Sequence, residues 1–143
     1  MFPRLTVAEN IELARLSAYR QNDRDVYALF PDLKLRADQP AGTLSGGQQQ
    51  QLAIARALAT EPRLLIIDEL SQGLQPSIVQ ALADALSNVT GNGGLALILV
   101  DQNPHLAMRI CERVMVMQRG EVVAAGASAT LGADEGFLDL LIV

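Results

Sequence analysis

Two runs constrain this chain more than anything else in it: "RLLIIDE", beginning at Arg63, and "LALILVDQ", beginning at Leu95. Each is a short, continuous apolar stretch ending in acids or amides, the look of a strand buried on both faces. Between them, Ser77 to Val89 sets Ile78, Val79, Leu82, Leu86 and Val89 on one helical stripe, closed by "GNGG". Strand, helix, strand in that order predicts a parallel pair joined by a helical crossover. Asn103 and Pro104 cap a further helix expected to run to about Arg113. "VMVMQ", "RG" and "EVVAAG" then read as strand, turn and strand. The fold class is α/β.

The first half reads differently. Thr6 followed by Glu9 is a capping box that opens a helix through roughly Arg20. A second helix is expected from Arg24 to Phe30. Val26, Leu29, Phe30 and Leu33 recur at helical spacing there, and Pro31 stops it. "RADQPAGT" is a loop by its Pro, Gly and Asp content. With 143 residues the chain amounts to one domain, large enough for a real core. Only 3% of it is aromatic, so that core is aliphatic. No apolar run approaches the roughly 18 residues of a membrane span, and "MFPRLTVAEN" holds no secretory apolar region. Cys111 is the only cysteine, which fits a reducing cytoplasm. A net charge of −5 argues against a general nucleic-acid binder. The eleven basic residues are ten arginines and one lysine, Lys34.

Two constellations carry chemistry. In "TLSGGQQQQLAIARAL", Thr43 to Leu58, Ser45 is a natural N-cap and Gln48 completes a capping box. That pattern alone describes a well-capped surface helix. Gly46 and Gly47 add something, since side-chain-free N–H groups at a positive helix end make a ready phosphate site. The second constellation is "LLIIDE", Leu64 to Glu69. An acid pair at the carboxyl end of a buried strand lies where open α/β sheets bind ligands. Burying two carboxylates without a cation is costly, so Mg²⁺ is the natural partner, with Asp68 on the metal shell and Glu69 orienting and deprotonating a water. The plain alternative is a strand that ends in charged residues at the surface.

"LSGGQ", then "DE" some twenty residues on, then "SQGLQP" together resemble the ATPase subunits of ABC transporters. "LSGGQ" is similar to that family's signature motif, "LLIIDE" to its Walker B motif, and Ser71 to Pro76 to its D-loop. "FPRLTVAEN" looks like the segment just after the family's Q-loop, so the resemblance covers nearly the whole chain. "AGTLSGGQQQQLAIARAL" and "GLQPSIV" look most like the subfamily serving branched-chain amino acid and urea importers. The resemblance implies a partial P-loop NTPase core of ABC type, with parallel strands and a helical subdomain. Residues 1–60 would be that subdomain with the signature motif. Residues 61–143 would be the C-terminal half of the core, with Walker B, D-loop, switch region, terminal hairpin and helix.

It also implies ATP and Mg²⁺ as cofactors. Ser45, Gly46, Gly47 and Gln48 would contact the γ-phosphate of a nucleotide held by the opposite protomer. Glu69 would be the general base and Asp68 would serve Mg²⁺ through water. Ser71 and Gly73, in the D-loop, would cross the dimer interface. Gln102 falls on the family's switch histidine; it can donate a hydrogen bond but cannot become cationic. His105, the only histidine, lies in a first helical turn and reads as a solvated surface residue. The implied partners are a second ATPase subunit, membrane-embedded permease subunits and, indirectly, a substrate-binding protein, with no nucleic acid. The implied place is cytoplasmic, peripheral to the inner membrane.

Some residues depart from the family pattern. Leu70 stands where proline is usual after the catalytic acid, leaving one more N–H to satisfy. Gln75 replaces the usual D-loop aspartate. No G-x-x-x-x-G-K-[ST] occurs, and Lys34 has no glycine beside it. The resemblance therefore places the P-loop, Q-loop and adenine-stacking aromatic before position 1, making this the truncated back part of a subunit. Three functions follow: an importer ATPase subunit for a small polar solute such as branched-chain amino acids, a soluble ABC-type ATPase, or a non-catalytic remnant that binds no nucleotide by itself. In the family, the strand before the P-loop separates the two strands matching "LALILV" and "RVMVMQ". Here a gap or a rearranged sheet is expected near Arg113 to Gln118.

Overall fold

The computed structural model describes residues 1–18, 24–91 and 94–132. The chain divides into two compact units, Met1–Leu65 with Gly73–Ala96, and Ile66–Gln72 with Leu97–Val143.

The first unit is mainly helical. Helix α1 (Val7–Leu16) begins at the expected box: Thr6 Oγ1 accepts from Glu9 N–H at 3.1 Å and Glu9 Oε2 accepts from Thr6 N–H at 2.7 Å. It ends at Leu16, short of the expected end, because Ser17 N–H turns back to the carbonyls of Ala14 and Arg15; Arg20 lies outside the described residues. Helix α2 (Val26–Leu29) is capped by Asp25, two residues later than expected. Pro31 does not simply stop it. Proline forces Phe30 out of helical geometry (φ −132°), then serves as the first residue of α3 (Pro31–Lys34). The stretch read as a loop contains a 3₁₀ turn, Ala41–Thr43.

Helix α4 (Gly46–Ala59) is the centre of this unit, touched by α1, α2 and α3. Leu52, Ala55, Leu58 and Ala59 on it are wholly buried, as are Val7, Val26 and Leu33. One polar side chain joins them. Asn10 is fully buried and satisfied: its Oδ1 accepts from Phe2 N–H, while Nδ2 donates to the carbonyls of Phe2, Leu5 and Thr6. Arg56 Nε donates to the Asn10 carbonyl, and its guanidinium lies 5.1 Å from the Phe2 ring centroid. Helix α5 (Pro76–Gly91) buries Leu82, Leu86 and Val89 from the expected stripe, while Ile78 and Val79 are half-buried. Asn92 and Gly93 of its expected stop lie outside the described residues.

Strands β1 (Leu64–Asp68) and β2 (Ala96–Val100) pair with each other. Ala96 N–H donates to Arg63 O and Glu69 N–H to Val100 O, so both strands advance in the same sense and the pair is parallel. Neither strand is buried on both faces, as their continuous apolar sequence predicts. Leu65 and Ile67 are buried, but Leu64 is 48% exposed and Ile66 63%, and β2 alternates between half-buried and exposed residues with none buried. An apolar side chain shows that a face can be covered; among the described residues nothing covers this one.

Helix α6 (Pro104–Ile110) is capped by Asn103 and ends before Arg113, which instead opens strand β3 (Arg113–Gln118). Strand β4 (Glu121–Ala127) pairs antiparallel with β3 through Arg119 and Gly120, whose φ values of 51° and 85° make the mirror-image turn that suits strand twist. Helix α7 (Ser128–Leu131) packs on β4. The sheet order is β1–β2 and, separately, β3–β4. Among the described residues β2 and β3 are therefore not hydrogen-bonded neighbours, which is the gap expected at Arg113 to Gln118.

Candidate functional site

The start of α4 follows its sequence closely. Ser45 Oγ accepts from Gln48 N–H at 3.3 Å, and Gln48 Oε1 accepts from Ser45 N–H at 3.0 Å. The box thus occupies the Gln48 carbonyl and leaves its NH₂ and the Ser45 O–H as donors. The N–H groups of Gly46 and Gly47 are first-turn donors without intrahelical partners. A Cβ on Gly46 would meet nothing within 4 Å; one on Gly47 would meet Ile78. One glycine opens on free space and the other lets α5 approach. Gly73 lies in the same unit and has a φ of +68°.

The second unit gathers the other predicted residues. Asp68 ends β1 and is exposed. Glu69 follows with a φ of 53°, in the left-handed region that costs a non-glycine residue about 1–3 kcal/mol. Its N–H is fixed to Val100 O at 2.8 Å, so the last ladder bond is made just where the chain turns. Glu69, Ser71, Gln72, Asp101 and Gln102 line a cleft of about 100 Å³ beyond the carboxyl ends of β1 and β2. Glu69 and Gln102 are the two residues expected to be catalytic; Ser71 was expected at a dimer interface and here lines the same cleft.

Asp101 and Gln72 were not expected in the cleft. Asp101 is the more informative. Its Oδ1 accepts from Ser71 Oγ–H at 2.7 Å and from Asn103 N–H at 2.8 Å; its Oδ2 accepts from Ser71 N–H at 2.9 Å. Burial works to raise the pKa of this carboxyl, but the hydrogen bonds from the Ser71 side chain and the N–H groups of Asn103, Ser71 and Leu70 outweigh it, and the pKa lies below the ordinary value. The Leu70 side chain is fully buried. The one sequence signal for Asp101 was that an acid ends the second apolar run.

His105 is exposed in the first turn of α6. Among the described residues no three His, Cys, Asp or Glu side chains gather into a metal cage. Asp68 and Glu69 are both exposed rather than buried, and Asp68 is not among the residues that line the cleft with Glu69. The described helices include none long and apolar enough to cross a membrane.

The family model for ABC transporters matches residues 1–72. The chain is 39% identical over 135 residues to the high-affinity branched-chain amino acid transport ATP-binding protein BraG of Pseudomonas aeruginosa, covering 92% of this chain and 58% of that protein. It is 37% identical over 126 residues to the methionine import ATP-binding protein MetN of Geobacillus kaustophilus, covering 85% of this chain and 37% of that one. It thus spans little more than half the length of the first relative and about a third of the second. Among solved structures, an ATP-binding subunit of an ABC transporter superposes with a TM-score of 0.76 at 26% identity, over 99% of this chain and 62% of that one. A dimeric ATP-binding cassette in a post-hydrolysis state with ADP and Pi superposes with a TM-score of 0.75 at 26% identity, over 90% and 59%.

Proposed function

This chain belongs to the ABC transporter family, and from that premise we propose that its residues supply the catalytic carboxylate and signature helix of an ATP-hydrolysing importer subunit. The observation that carries the reading is the cleft beyond β1 and β2, where Glu69, Ser71 and Gln102 meet. ATP is the substrate, its γ-phosphoryl group passing to water with ADP as the leaving group, and Mg²⁺ when bound would neutralise charge on the phosphates. Glu69 takes the proton of the attacking water, a role worth about 10²–10⁴-fold in rate. Gln102 donates an amide hydrogen bond toward the γ-phosphate without bringing a charge. Asp68 would hold Mg²⁺.

In this reading Ser45, the N–H groups of Gly46 and Gly47, and the Gln48 NH₂ face the γ-phosphate of a nucleotide on a second ATPase subunit, and Ser71 and Gly73 run along the interface between the two. The subunit works peripherally on the cytoplasmic side of the membrane, against permease subunits that a substrate-binding protein feeds. The solute is an amino acid. The match to BraG supports a branched-chain side chain, and the nearly equal identity to MetN makes methionine the competing substrate.

The test is ATP turnover by the dimeric subunit carrying Glu69→Gln. Turnover should fall at least about a hundredfold while nucleotide binding persists. Unchanged turnover would remove Glu69 from the reaction.

A second reading is favoured by the absence of G-x-x-x-x-G-K-[ST] from these 143 residues: by themselves they bind no nucleotide.

A further inference from the structure

We propose that Asp101 is a positioning residue, a tie that holds the catalytic acid and the switch glutamine in register through their neighbours. The proposal rests on the ATPase reading of Glu69 and Gln102. Asp101 accepts from Ser71 twice, at 2.7 and 2.9 Å, and from Asn103 N–H at 2.8 Å. Ser71 lies two residues after Glu69, and Asn103 directly follows Gln102. A single carboxylate therefore grips both segments that present the reactive side chains. Oδ1 takes two of these hydrogen bonds and Oδ2 the third.

Glu69 gives the tie its purpose. A non-glycine residue at a φ of 53° persists only where its surroundings over-determine it. Here they do so from both sides and from consecutive residues. Val100 O takes the Glu69 N–H at 2.8 Å, and Asp101 takes Ser71. Remove the carboxylate and the turn from Glu69 to Ser71 is held at one end only. A displacement of about 1 Å at such a site can cost a factor of about a hundred in rate. The carboxylate points at Ser71 and Asn103, so its loss should act on turnover and leave nucleotide affinity alone.

The experiment compares Asp101→Asn, Ser71→Ala, the double variant and Glu69→Gln in the dimeric ATPase, reading kcat and KM for ATP. Amide hydrogen exchange of Ser71 and Asn103 is read alongside. Asp101→Asn should lower kcat about 10–100-fold with KM within about twofold, and speed exchange at Ser71 and Asn103 about tenfold or more. The double variant should cost no more than the worse single one, because both break one tie. Full kcat in Asp101→Asn beside an inactive Glu69→Gln would overturn the proposal. So would a raised KM with unchanged kcat, or exchange at Ser71 that does not move. An active Glu69→Gln would instead overturn the ATPase reading itself, whatever Asp101→Asn did.

Discussion

A methyl group on Gly47 would lie 3.2 Å from both Cγ1 and Cγ2 of Ile78, whereas one on Gly46 would meet nothing within 4 Å. Glycines adjacent in sequence thus face different demands. Ile78 is β-branched, with a stiff χ1, and stands in the first turn of α5, so it can yield only a little. Gly47→Ala should lose stability by about 1–3 kcal/mol through overpacking. Gly46→Ala should be neutral, or more stable by up to about 1 kcal/mol. In the proposed dimeric ATPase, Gly46→Ala should still reduce turnover, because its Cβ enters the space proposed for phosphate. Urea unfolding beside ATP hydrolysis separates the two effects. A Gly46→Ala variant that is destabilised, or fully active, contradicts this division.

Local chemistry explains what was legible in the sequence. The capping boxes at Thr6–Glu9 and Ser45–Gln48, the Asn103 cap and the "RG" turn are each decided within four residues, and all formed as read. Pro31 misled because proline ends one helix and starts another by the same fixed φ. The bare faces of β1 and β2 were illegible for a different reason: whether an apolar face is covered depends on residues elsewhere. Asp101 was hidden by distance, since its partner Ser71 stands thirty residues earlier. Glu69 was read as the acid, but its strained backbone was not, because nothing in "DEL" requires a left-handed residue.

Two polar residues three apart should behave oppositely. Gln102 lines the cleft, while His105 is exposed on α6. On the proposed function, Gln102→Ala should cut ATP turnover in the dimeric subunit about tenfold or more, through loss of a donor at the developing charge. His105→Ala should leave turnover and stability unchanged, as substitutions away from core and site usually fall within about 0.5 kcal/mol. A more damaging His105→Ala would mean the switch position has been assigned to the wrong residue.

Nucleotide affinity gives a third expectation. The 143 residues offer the helix end at Gly46 and Gly47 but no P-loop lysine or glycine-rich cradle. A helix end at the surface contributes only about 0.3–1 kcal/mol toward an anion, far short of the roughly 8 kcal/mol of a micromolar complex. Calorimetric titration of these residues alone with MgATP should show no micromolar binding. A micromolar Kd would reveal a phosphate site elsewhere in the chain.

Acid should weaken the Asp101 tie in a definite direction. The folded state holds this pKa below 3.8, the ordinary aspartate value. Its contribution to stability is therefore complete at pH values above the unfolded pKa and is lost as pH falls through the lower, folded one. Asp101→Asn should be less stable than the parent at pH 7, and the gap should narrow as the pH is brought below 3.8. Thermal unfolding of both proteins across that range is the measurement. A gap that stays constant into strong acid would mean the charge on Asp101 contributes nothing.

The uncovered strand faces lead to the last expectation. Ile66 is 63% exposed and Ile98 50%, with Leu64 and Val100 beside them on the same strands. Exposed apolar surface of this kind favours association, and among the described residues the two-stranded sheets have open edges that add unpaired backbone groups to it. The 143-residue chain should self-associate, and Ile66→Thr with Ile98→Thr should reduce this. Threonine keeps the β-branch that suits a strand, and these side chains have little burial to lose, so stability should change by less than about 1 kcal/mol. Sedimentation velocity and urea unfolding of the parent and the double variant give both numbers. A loss of several kcal/mol, with association unchanged, would mean that this face is covered in solution and that the strands are buried on both sides after all.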